Sequence, residues 1–108
     1  MSAGVQNPEV IDLVAQDADG EYMVIMIETR PWGTISDQPG QLKRKINTYA
    51  AYVLDGTLAS QYPETVDQPV RIQLNCPEPP AAEIAVIIDW AKRRLREYGI
   101  PFAVDSRG

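Results

Sequence analysis

Histidine is absent from the 108 residues of this chain, and cysteine occurs once, at Cys76. The first absence removes the commonest general base, the commonest metal ligand and every Ser-His or Cys-His nucleophile pair. The second rules out an intramolecular disulfide and fits a reducing compartment. Positive charge is also scarce. Ten Lys and Arg face fifteen Asp and Glu, for a net charge of −5, so the molecule as a whole repels phosphate backbones and anionic membranes. The opening MSAGVQNPEVID has neither a basic n-region nor an apolar h-region, and no run approaches a membrane-spanning length. A cytoplasmic location with no membrane contact is the expectation, and no cofactor or metal is implied.

What is present is an ordinary globular composition, 44% hydrophobic and 23% charged, in a length that suits one domain over residues 1–108. Residues 1–8 read as a flexible lead-in and 9–105 as the folded core. Val10 to Gln16 and Glu21 to Thr29 are rich in branched apolar residues and flank Asp17-Ala18-Asp19-Gly20, which predicts a β-hairpin. The second of these strands is apolar on both faces, through either Met23, Ile25 and Ile27 or Tyr22, Val24 and Met26, and so belongs in a sheet interior.

Gln41 to Asp55 is the segment around which the rest is arranged. Leu42, Ile46, Tyr49, Ala50 and Val53 recur at helical spacing and form one apolar stripe. Ser36 or Asp37 could cap this helix, Pro39 is tolerable in its first turn, and Gly56 is placed to end it. Thr57 to Gln68 reads as irregular. Val70 to Leu74 alternates as a third strand, and Ala81 to Tyr98 is a second helix whose stripe is Ile84, Ile87, Ile88, Ala91, Leu95 and Tyr98. Gly99 closes it, with Ile100 folding back on Leu95, and Phe102 to Asp105 is a short final strand. The order β-β-α-β-α-β predicts an α+β two-layer sandwich. In it, a four-stranded mixed sheet carries two helices on one face, with strands two, three and four parallel and the first antiparallel to the second.

Several residues together resemble a family of small uncharacterised bacterial proteins of about this length. They are Ile11-Asp12, Trp32, Lys45-Ile46-Asn47 with Tyr49, Tyr52 and Val53, then Asp55-Gly56, Tyr62-Pro63 and Tyr98-Gly99-Ile100. The resemblance implies the same β-β-α-β-α-β domain, with no activity, ligand or catalytic residue attached to it.

Candidate sites follow from residue type and position. Asp17 to Gly20 fails as a calcium loop, because Ala15 and Met26 fall where carboxylates are required. Asp12 and Glu28 could be paired carboxylates on neighbouring strands, but no nucleophile or cleft-forming motif accompanies them. Lys43, Arg44 and Lys45 would lie far from Lys92, Arg93, Arg94 and Arg96 if the helices run parallel. Asp89 and Glu97 stand at pairing distance from Arg93, so a solvated face is the expected reading of both groups, and nucleic acid is not an expected partner. Cys76 would need a helix N-terminus or a cation to become nucleophilic. The most promising surface is the carboxyl rim of the parallel strands, where Arg30 and Trp32 lie beside Asn75 and Cys76 and both helices begin. Two functions result: a non-enzymatic domain that binds a protein partner or itself, plausibly a homodimer through a sheet edge or the uncovered face; or a domain that binds a small anion, or an enzyme, at that rim.

Overall fold

A computed structural model describes residues 4, 5, 8–33 and 35–106. Of the lead-in, residues 1–3, 6 and 7 lie outside the described residues, as does position 34 of the loop before the first helix. The apolar alternation resolves into β1 (Leu13–Gln16), β2 (Tyr22–Ile27), β3 (Val70–Asn75) and β4 (Phe102–Asp105), joined by α1 (Gln38–Leu54) and α3 (Ala82–Arg96), with a short α2 (Thr57–Gln61) and a 3-10 turn (Pro63–Thr65) after α1. The strands lie in the order β1-β2-β3-β4. Leu13 faces Ile25 across an antiparallel pair, while Val24 faces Ile72 and Ile72 faces Phe102 across parallel ones. Each parallel pair is bridged by a long helix, because parallel neighbours need a crossover.

Alternation decides which strand residues meet the helices. Val24, Met26, Ile72, Leu74 and Phe102 share one core with Leu42, Ile46 and Tyr49 of α1 and Ile84, Ile88, Ala91 and Leu95 of α3. All five strand positions point to the same side, so both helices cover one face. Each large apolar side chain buried there contributes roughly 1.5–3 kcal/mol before chain entropy is counted.

The helix ends follow from local chemistry. Residue Gly56 takes φ 90°, a left-handed conformation costly for any residue with a Cβ, and the chain turns there from α1 into α2. The Asp55 carboxylate accepts the backbone N–H and hydroxyl of Thr57, which restarts a helix where irregular chain was expected. Gly99, at φ 74°, lets the Ile100 N–H return to the Leu95 carbonyl at 3.0 Å, closing α3 as its sequence predicts. Tyr98, expected on the buried stripe, lies past the end of the helix and is exposed. No helix among the described residues is long and apolar enough to cross a membrane.

The lead-in is corrected at two positions. The Val5 side chain is fully buried within the helix-side core, and its N–H donates to the Ile27 carbonyl at 2.8 Å. β1 reaches only as far as Ile25 along β2, so the end of β2 needs other partners. Val5 is held by it, and Gly4 by Asp12 and Lys45, rather than hanging free.

Candidate functional site

The carboxyl rim of the parallel strands brings the four predicted residues into one region but does not leave them available. Beyond β2 the chain folds back on itself around Glu28, whose side chain is fully buried. Its Oε1 accepts the Arg30 N–H and Nε at 2.9 and 2.8 Å, and its Oε2 accepts Arg30 Nη2 at 2.8 Å and Gln38 Nε2 at 3.1 Å. Arg30 Nη2 also donates to Gln41 Oε1 at 2.8 Å. Burial pushes the Glu28 carboxyl toward a higher pKa. The hydrogen bonds from Arg30 and Gln38, with the charge of Arg30, outweigh it, and the group sits below the usual carboxylate value. Trp32 is only 8% exposed; its backbone N–H donates to Glu78 Oε1 and its indole Nε1 to the Glu78 carbonyl, each at 3.0 Å. It seals the sheet end as core.

Cys76 is buried in the same helix-side core. Burial raises its thiol pKa, and contacts from Trp32 and the Glu78 backbone offset only part of that, with Asp105 and Glu28 adding to the rise. A nucleophilic cysteine needs the opposite shift. Asn75 points the other way: it alternates with Gln73 on the uncovered face and its Oδ1 accepts Gln73 Nε2 at 2.7 Å. The rim is therefore a structural junction in which Glu28, Trp32 and Cys76 are buried and the Arg30 guanidinium is only 22% exposed.

The two carboxylates considered as a pair are separately engaged. Asp12 belongs to a second buried centre. Lys45 Nζ lies 2.9 Å from Asp12 Oδ1, both side chains fully buried, and donates also to the carbonyls of Gly4 and Val10 at 2.8 Å. Asp12 in turn accepts the N–H of Gly4 and of Ile27, each at 2.9 Å. The Tyr49 hydroxyl takes the Asp12 N–H and donates to the Ile25 carbonyl, both at 2.8 Å, and burial drives its pKa upward. Where β1 peels away from β2, these side chains take over the hydrogen bonds a longer strand would have made. Lys45 is thus not part of a solvated basic face. Its signal was in the spacing: it stands at Leu42 plus three and Tyr49 minus four, inside the apolar stripe.

The uncovered face of the sheet has two halves. Leu13 and Ala15 of β1 sit beside Met23, Ile25 and Ile27 of β2, and Leu13 is 46% exposed. Along β3 run Arg71, Gln73 and Asn75. Arg71 forms ion pairs with Asp17 and Glu21 of the hairpin and lays an amino group against Met23. The question of which set faces outward is thereby answered in favour of Met23, Ile25 and Ile27.

The chain belongs to a family of unknown function, DUF6572, whose sequence profile matches residues 1–107. No curated protein and no solved structure matches it.

Proposed function

We propose that this is a non-enzymatic protein-interaction domain that associates with a second copy of itself through the uncovered face of its sheet. The observation that carries the reading is the apolar strip of Leu13, Ala15, Met23 and Ile27, half-buried to exposed around a buried Ile25 on the face away from the helices, which a two-fold axis would bring onto itself. Val5 packs with the helix-side core. At the usual strand spacing and rise, four strands of up to six residues present roughly 400 Å² of projected face. A standard interface takes about 800 Å² from each partner, so the association is weak and concentration-dependent. The single, buried Cys76 accords with a cytoplasmic setting, the location that belongs to this reading.

Sedimentation from about 1 μM to 1 mM tests it. The mass is expected to climb from 12.0 kDa toward twice that, and Leu13→Lys is expected to hold the chain monomeric with its melting temperature unchanged. A mass that stays at the monomer value throughout removes the proposal. A small anion at the rim would have to draw Arg30 away from Glu28, so amide shifts at Arg30 and Trp32 on adding phosphate would favour the rim instead.

A further inference from the structure

Among the described residues, the cations fall into two groups. Arg30, Arg44, Lys45 and Arg71 each hold a carboxylate, and Lys43 lies 5.2 Å from the centre of the Trp90 ring. Lys92, Arg93, Arg94 and Arg96, all in the second half of α3, pair with no carboxylate among the described residues, not even with Asp89 or Glu97 one turn away. Lys92 and Arg96 stand a turn apart on the flank of α3 that overhangs β4. They form one wall of a groove of about 450 Å³ completed by Gly99, Ile100, Pro101 and Phe102.

That groove runs into an open sheet edge. β4 is the last strand of the sheet, and the carbonyls of Pro101 and Asp105 accept the N–H groups of Ile72 and Cys76 from β3. In a parallel pair, alternate residues turn their backbone to the neighbour, so the N–H and C=O of Phe102 and Val104 point away from the sheet. None has a partner among the described residues. Natural edges are commonly guarded by shortness, charge, proline or a bulge; β4, Phe-Ala-Val-Asp, is short and ends in Asp105 but carries no lysine or proline along its length.

We infer that β4 takes an extended acidic segment of another protein as a fifth strand, its backbone pairing with Phe102 and Val104 and its carboxylates meeting Lys92 and Arg96. The surface is separate from the uncovered sheet face and does not depend on self-association.

The test is an amide NMR titration of the full chain with a capped heptapeptide alternating glutamate and valine. The amides of Phe102 and Val104 should shift and exchange more slowly with solvent. Lys92→Gln combined with Arg96→Gln should weaken binding at least tenfold, with only the small, salt-sensitive fall in melting temperature that losing cations near the negative end of a helix entails. Val104→Pro, which removes an outward donor and leaves the pairing with β3 intact, should weaken it as much, whereas Leu13→Lys should leave it unchanged. Absence of binding overturns the inference, as does equal binding of the peptide with lysine for glutamate, full affinity in Val104→Pro, or stronger shifts with a single-stranded oligonucleotide.

Discussion

The two parallel crossovers of this domain are built on different principles. Around α1, charge is taken inside: Lys45 meets Asp12 with both side chains fully buried, and Glu28 is buried against Arg30 and Gln38. Around α3 the interface is apolar throughout, with Ile84, Ile88, Ala91 and Leu95 inward and all four basic residues left in solvent. Burying an ion pair gains little net stability over packed hydrocarbon, because desolvation offsets most of the attraction. What the α1 side obtains is position. Its buried groups accept and donate hydrogen bonds at places where β1 ends early and where the chain leaves β2, sites that apolar side chains cannot satisfy. Function is therefore to be sought on α3, because the buried charges around α1 are engaged in architecture and the cations of α3 are available.

Breaking the α1 side should have the largest effect. Lys45→Met leaves the Asp12 carboxylate buried without its cation and the Gly4 and Val10 carbonyls without their donor, and a destabilisation of about 3–5 kcal/mol is expected in denaturant unfolding. Lys45→Met together with Asp12→Asn removes the stranded charge and keeps a side-chain oxygen for the Gly4 or Ile27 N–H, so much of that loss should return. A double variant no more stable than the single one would show that geometry, and not charge, is what this centre supplies.

A smaller effect, and one that depends on pH, is expected at Glu28. Its folded-state pKa lies below the ordinary value of 4.5, so its contribution is fully present above about pH 4.5 and is lost as the pH falls through the depressed folded value. Glu28→Gln should cost about 1–3 kcal/mol near neutrality and flatten the acid limb of the stability curve. An acid limb as steep in the variant as in the parent would place the acid-sensitive group elsewhere.

This contrast also explains how much the sequence disclosed. The α3 half was legible nearly to the residue, because an apolar helix stripe, an αL glycine and a short alternating strand each encode themselves locally; only Tyr98, one turn past the last inward leucine, was misplaced. In the α1 half the topology was legible and the chemistry was not. The start of α1 was legible, with Asp37 preceding its first residue, Gln38, Pro39 in a first-turn position that needs no donor, and the Asp37 carbonyl accepting the Gln41 N–H. Trp32 beside Arg30 has the composition of a binding hot spot. Its burial depends on Glu78, forty-six positions away, accepting both of its N–H groups, a pairing no local pattern announces. Lys45 sat visibly within the stripe, but its partner Asp12 could be found only once the hairpin and helix were brought together.

The smallest expected effect is the sharpest check on the comparison. If the cations of α3 hold nothing within the fold, Arg93→Gln combined with Arg94→Gln should shift the melting temperature by no more than about 2–3 °C, since exposed substitutions without a partner lie near neutrality. Some loss is expected from the helix dipole, because both arginines lie near the negative end of α3, and added salt should erase it. A larger loss that salt does not remove would mean that α3, like α1, uses its charges to build the fold, and the α3 flank would then lose its standing as a surface kept for a partner.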